Sequence, residues 1–188
     1  MRVIAGRARG TKLKSIDLPT ARPTLDRVKE SIFSSIQFDL KNALCLDAFA
    51  CSGALGIEAL SRGAAKLVSC EWDKRTFQVL KENMQKTRML EDALLYNGDV
   101  FDYLSQCKLQ FDFVFADPPY HKGFIPELFS SLLDHGCLKP GSVLVCEHEK
   151  ELDLSGYRRE RGDLILEWFK QKDFSDTRVS YFRAGPLS

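Results

Sequence analysis

An apolar run that ends abruptly in an acid and two prolines sets the tightest limit on what this chain can fold into. The run is FDFVFADPPY, Phe111 to Tyr120. Its Phe- and Val-rich part reads as a buried strand. Pro118 and Pro119 can neither extend a central strand nor open a helix at that point, so the chain must turn out toward solvent. A rigid loop then sits at the carboxyl end of a strand, where open α/β sheets place their ligands. It carries the Asp117 carboxylate, carbonyls outside the strand ladder and the flat Tyr120 ring. This set suits an exocyclic amino group on a planar base: oxygens hold the two N–H bonds and the ring stacks on the base. A strand-ending turn with a surface acid would give the same four letters, so the reading depends on what precedes it.

What precedes it is LCLDAFACSGALGIEALSRGA, Leu44 to Ala64. A short apolar strand, Ala43 to Leu46, leads into Asp47. The small residues Ala50, Cys51, Ser52 and Gly53 follow, and Leu55, Ile57, Ala59 and Leu60 then carry a helix that stops near Gly63. Strand, small-residue loop and helix form the cofactor half of a doubly wound domain. Small residues let the backbone approach a ligand, and a helix N-terminus offers N–H groups to a carboxylate. Glu71 ends a second strand, Lys66 to Glu71, where an acid can accept from both hydroxyls of a ribose. A third strand near Leu94 to Asn97 leads to Asp99, which could take an adenine amino group. The loop is not a full G-x-G-x-x-G, so a hydride-transfer enzyme stays open on this feature alone.

Charge is unevenly placed. The chain's net charge is +1, and Arg2, Arg7, Arg9, Lys12 and Lys14 give the first fourteen residues +5, which leaves −4 for the rest. A basic arm on a mildly acidic body suits contact with phosphates. Val3 and Ile4 beside Gly6, then Gly10 before Lys12, suggest a short hairpin. Arg22-Pro23-Thr24 reads as a loop into a helix with Thr24 as N-cap, and Val28, Ile32 and Ile36 give that helix its buried stripe. Arg27 and Lys29 lie off that stripe, to contact RNA or cofactor or to be solvated. Further on, helices are expected at Lys74 to Thr87 and Ile125 to His135, a fifth strand at Ser142 to His148, and a closing antiparallel pair at Leu164 to Lys170 and Val179 to Arg183.

The chain has 188 residues, 44% of them hydrophobic, enough for one sizeable core. No apolar run reaches transmembrane length, and the basic N-terminus lacks the apolar stretch of a signal peptide. Six cysteines without C-x-x-C spacing read as free thiols in a reducing compartment. Three histidines, none in ligand spacing, give no reason to expect a metal.

The order Asp47-x-Phe49-Ala50-x-Ser52-Gly53, Glu71, Asp99 and Asp117-Pro118-Pro119-Tyr120 resembles the S-adenosylmethionine-dependent amino-methyltransferases. MRVIAGRARGTKL (Met1 to Leu13), RPTLDRVKESIF (Arg22 to Phe33) and LGIEALSRGA (Leu55 to Ala64) are similar to the RsmD family, the bacterial 16S rRNA guanine-N2 methyltransferases. The resemblance covers nearly the whole chain, with few motifs in the last forty residues. It implies an α/β fold: a Rossmann-like, seven-stranded class I methyltransferase sheet. A hairpin-plus-helix extension over residues 1–40 would contact RNA, and a catalytic domain over 41–188 would follow. S-adenosyl-L-methionine would be the cofactor, 16S rRNA within the small ribosomal subunit the partner and the cytoplasm the compartment, with no membrane and nothing requiring more than a monomer. Asp117, Pro118, Pro119 and Tyr120 would be catalytic. Asp47, Phe49, Ala50, Cys51, Ser52, Gly53, Glu71, Trp72, Asp99 and Val100 would bind the cofactor, and Arg7, Arg9, Lys12, Arg22 and Arg27 the RNA. One residue departs from the family pattern: Cys51 stands where glycine is usual. If that position needs φ > 0, a cysteine costs about 1 kcal/mol or more.

Three alternatives stay open on sequence. The Asp-Pro-Pro-Tyr loop also serves adenine-N6 methylation of RNA or DNA. A glutamine-N5 methyltransferase fits less well, since that group carries Asn in place of Asp117. A non-catalytic RNA-binding or ribosome assembly factor could retain the fold, and Cys51 is the feature that favours it.

Overall fold

The computed structural model describes residues 1–16 and 26–187. Eight strands form one sheet: β1 Leu44–Asp47, β2 Lys66–Glu71, β3 Ala93–Asn97, β4 Phe111–Ala116, β5 Leu138–His148, β6 Arg158–Arg161, β7 Leu164–Asp173 and β8 Arg178–Pro186. Their order is β3-β2-β1-β4-β5-β8-β7-β6. The first five are parallel, and β8, β7 and β6 pair antiparallel. Between β1 and β4 the strand order reverses, the switch point at which doubly wound sheets open a crevice.

Helices cover both faces because parallel strands must be linked by crossovers. The helices are α1 Asp26–Ile36, α2 Ala54–Ser61, α3 Lys74–Lys86, α4 Val100–Gln106 and α5 Phe124–Asp134. Strand alternation divides the core in two. Cys45, Leu67, Phe113, Phe115, Val143 and Val145 pack with α1, α2 and α3. Leu46, Val68, Val114, Ala116, Leu144 and Cys146 pack with α4 and α5.

The fold matches the expected architecture with one strand more than the seven anticipated. The extra strand, β6, reads RRER and is exposed at all four positions. An edge strand of this kind has no hydrophobic alternation to announce it, and its charges protect the edge from further pairing. Helix α4 also went unanticipated; it is seven residues long and buries only Val100 and Leu104.

Residues 1–13 form a narrow hairpin with one β-bridge, Arg2 to Lys12. Val3 N–H donates to the Thr11 carbonyl at 3.0 Å and Gly10 N–H to Val3 at 2.8 Å. The hairpin lies directly on the end of α2. Gly6 has φ +81° and a Cβ there would fall 1.8 Å from the Ser61 carbonyl oxygen, so only glycine allows this approach. Buried Glu58 accepts from Ile4 N–H at 2.8 Å and Ala5 N–H at 3.0 Å. Its charge is met by Lys29 Nζ at 3.4 Å and Arg62 Nε at 2.7 Å.

Lys29 corrects an expectation. It neither contacts solvent nor is placed to meet RNA: it is fully buried, bonded to the Arg2 carbonyl and paired with Glu58. Burial holds its pKa below the usual lysine value, while Glu58 acts the other way. Thr24 and Arg22 lie outside the described residues.

Candidate active site

Four acids sit where successive strands end. Glu71 closes β2 and Asp47 closes β1, Asp117 follows β4, and Glu147 is the penultimate residue of β5. By alternation each falls on the α1–α3 face, in line with Leu67, Cys45, Phe115 and Val145. The register confirms the side-by-side arrangement, since Asp47 pairs with Phe115 and Ala116 with Cys146.

Asp47 is buried, and its Oδ2 accepts the Gly56 N–H at 2.9 Å. Burial first, then the charges of Asp117 and Glu71, push its pKa up to about 7; the Gly56 bond acts against them. Glu71 accepts Cys51 N–H at Oε2 and Asp73 N–H at Oε1, each at 2.9 Å. Its pKa also rises, mainly through burial. Glu147 rises to about 8 through burial and then the charge of Asp117, partly offset by the neighbouring Thr177 hydroxyl. Asp47 and Glu71, crowded in a crevice of low dielectric, favour a bound cation, which would restore their ionised forms.

The small-residue loop lies between these acids. Ala50 N–H donates to the Cys70 carbonyl at 2.9 Å, and Ser52 is buried with its carbonyl held by Asn83 Nδ2 at 2.9 Å. Cys51 has φ 49°, the left-handed region, which settles the branch left open in the sequence: this position is one that favours glycine. Its thiol is half-buried, and burial with the Glu71 charge raises the pKa to about 11. Gly53, at φ 85°, caps α2 without a side-chain bond to the helix amides. That left-handed φ is what calls for glycine in the tight turn into α2, and a Cβ there would also displace the Leu80 side-chain tip, 2.6 Å away. Phe49 turns the other way and its ring lies 5.7 Å from that of Phe124.

Trp72, next to Glu71, is 74% exposed and presents a flat apolar face at the crevice rim. Asp99 is the N-cap of α4 and its Oδ1 accepts Phe101 N–H at 2.8 Å, a structural duty the sequence reading did not assign. Val100 is buried behind it.

In the Asp-Pro-Pro-Tyr loop, Asp117 is half-buried, Pro118 buried and Pro119 exposed. Tyr120 is anchored through its hydroxyl, 2.8 Å from Thr177 Oγ1, and Thr177 in turn donates to the His148 carbonyl at 2.9 Å. This chain fixes the ring's orientation from the start of β8. His148 is itself held, with Nε2 2.8 Å from Ser180 Oγ and Nδ1 2.8 Å from the Glu149 carbonyl; burial keeps its pKa low. Sequence reasoning missed Glu147 and Thr177. Glu147 carried the signal that found Asp47, an acid at the carboxyl end of an apolar strand; Thr177 carried none.

The basic residues are dispersed. Arg7 pairs with Asp92 at 2.6 Å, whereas Arg9 and Lys12 are exposed on the hairpin. Arg27 is exposed on α1, its guanidinium 5.7 Å from the Phe174 ring centroid. A groove of about 480 Å³ lined by Asp39, Asp112 and Arg183 opens beside the amino-terminal ends of the central strands β1 and β4, away from the crevice, and contains none of the expected residues. Among the described residues no cluster of His, Cys, Asp and Glu is disposed to hold a metal ion, and no helix is long and apolar enough to cross a membrane.

A family model described as Conserved hypothetical protein 95 matches residues 1–183. The chain belongs to this family. Ribosomal RNA small subunit methyltransferase D of Haemophilus influenzae is 41% identical over 157 residues, spanning 82% of this chain and 81% of that protein. The protein of the same name from Escherichia coli is 39% identical over 151 residues, 80% of this chain and 76% of that one. The solved structure of the Escherichia coli protein yhhF superposes with a TM-score of 0.85 at 32% identity, covering 100% of this chain and 99% of that one. The RsmD resemblance seen in the sequence is thereby met, and the fold is that of the Rossmann-like methyltransferases.

Proposed function

We propose that this protein is an S-adenosylmethionine-dependent rRNA methyltransferase that modifies the exocyclic N2 amine of a guanine in 16S rRNA of the small ribosomal subunit, in the cytoplasm. The observation that carries the reading is the alignment of Glu71, Asp47 and Asp117 on one sheet face around a left-handed, small-residue loop. Family membership supports the rRNA substrate.

The residues fit the donor. Its cationic and hydroxyl groups match the crowded acids Asp47 and Glu71, and its adenine matches the exposed face of Trp72 and the Asp99 carboxylate. Ala50, Cys51, Ser52 and Gly53 would let the backbone come close, and the amides at the start of α2 would be available to the donor's carboxylate. When bound, the donor supplies a methyl group on a sulfonium whose leaving group is a neutral thioether.

The difficulty lies in the acceptor, because a guanine N2 lone pair is delocalised into the ring. Asp117 and the Pro118 backbone carbonyl hold the two N2 hydrogens and aim the lone pair at the methyl carbon. Such orientation can supply up to roughly 7–11 kcal/mol of barrier in favourable cases. The Asp117 carboxylate also offsets positive charge that develops on nitrogen. Tyr120, held in position by Thr177, stacks on the base, worth about 1–3 kcal/mol. The base enters unpaired or flipped out. Arg9, Lys12 and Arg27, with Arg7, meet phosphates of the surrounding RNA.

Transfer of labelled methyl to small ribosomal subunits lacking the modification, followed by mapping of the labelled atom, tests this reading. Label on N2 of one 16S guanine supports it. Label on adenine N6, or binding of RNA without any transfer, contradicts it.

A further inference from the structure

Among the described residues, Glu147 is the buried acid of the crevice that neither donor binding nor amine orientation employs. It is 7% exposed, and its Oε2 has no hydrogen-bond partner among the described residues. Buried polar atoms are normally satisfied, so an orphan in a crevice marks a place for a ligand atom. Its position points into the base site on three counts. It continues the Val143–Val145 row on the α1–α3 face. It follows Cys146, which pairs with Ala116, the residue before Asp117, so the two carboxyls stand at the ends of adjacent parallel strands. Thr177, which fixes Tyr120, lies beside it.

The Watson–Crick edge of guanine runs from the N2 amine (donor) through N1–H (donor) to O6 (acceptor). Asp117 takes the first. A neutral carboxyl next to it matches the other two, since its carbonyl accepts N1–H and its O–H donates to O6. We propose that Glu147 reads the N1–H and O6 atoms of the target guanine as a protonated acid, completing the edge that Asp117 begins. Burial and the Asp117 charge raise its pKa to about 8, consistent with a neutral side chain at pH 7. Adenine with its N6 amine on Asp117 would place a lone pair at N1 against the carbonyl and a C–H against the O–H. The inference thus rests on the proposed guanine reading and supplies its selectivity.

The test pairs base and residue. Target RNA carrying guanine, or 2-aminopurine at the same position, is methylated under single-turnover conditions by the wild type, Glu147→Gln and Glu147→Ala. 2-Aminopurine keeps the C2 amine but lacks N1–H and O6. The wild type should prefer guanine by roughly 10- to 100-fold, the size of a two-bond base contact. Gln offers the same acceptor and donor and should retain that preference with rates within about threefold. Ala should lose the guanine rate by a similar 10- to 100-fold while its 2-aminopurine rate stays within about threefold, so the preference collapses. S-adenosylmethionine binding, followed by equilibrium dialysis, should be unchanged in both variants. A merely structural Glu147 would lower both rates by one factor and leave the preference intact, which overturns the inference. So would a Gln variant that behaves like Ala. If the wild type transfers no methyl to guanine N2, the proposed function falls and this inference with it; if it transfers but selectivity ignores residue 147, only the inference falls.

Discussion

Replacing Cys51 by glycine removes a Cβ from backbone held at φ 49°. An L-residue in the left-handed region costs about 1–2 kcal/mol. Glycine gives back roughly 0.5–1 kcal/mol through the larger conformational freedom of the unfolded chain. The bond from the residue 51 amide to Glu71 Oε2, at 2.9 Å, belongs to the backbone and survives the change. The half-buried thiol contributes little packing. The net expectation is a gain of about 0.5–1 kcal/mol. For a chain of this length that raises Tm by about 1–4 °C. Cys51→Ala separates backbone from thiol, because it keeps the Cβ and its strain and should show no gain. Urea denaturation of both variants, with m unchanged, measures the difference. An Ala variant that gains as much as the Gly variant would refute the backbone argument, as would a Gly variant destabilised by more than about 1 kcal/mol.

Two other changes address the arm and the acids. Glu58→Gln removes the charge that faces buried Lys29 and loosens Ile4 and Ala5; it should cost about 3–5 kcal/mol in urea unfolding and expose the first dozen residues to proteolysis. Glu147 feels Asp117 from beyond β4 and Thr177 from ahead of β8, and its folded pKa, about 8, is raised above its unfolded value. Proton binding is therefore tighter in the folded state: the stability this gives is complete in acid and is lost as pH rises toward 8. The same ionisation should lower wild-type turnover as pH rises through about 8, a limb that Glu147→Gln should lack in a pH–rate profile; a limb shared by both proteins would tell against the neutral acid.

The central strands could be read in advance because each is an apolar run, and a strand buried on both faces leaves that trace. Asp47, Glu71 and Asp117 followed, as acids at the ends of such runs. The edge escaped notice for the converse reason: β6 is RRER, held by pairing with β7 rather than by burial. Helix α4 is too short to show periodicity, and its N-cap Asp99 was read only as a ligand-binding acid. Lys29 illustrates a deeper limit. A lysine beside an apolar stripe reads as surface, and its burial is decided by Glu58, twenty-nine residues further along the chain and on another helix. Thr177 belongs to the same class, since its link to Tyr120 spans 57 residues. The strain at Cys51 depends on a backbone angle, φ 49°, that residue identities alone do not carry.

The most direct test of the account is the behaviour of Asp117→Ala with small ribosomal subunits as substrate. Equilibrium binding of S-adenosylmethionine should remain close to that of the wild type, while single-turnover transfer of the labelled methyl falls to background. Transfer at a near-normal rate by this variant would contradict the claim that a carboxylate at the end of β4 holds the amine for methylation.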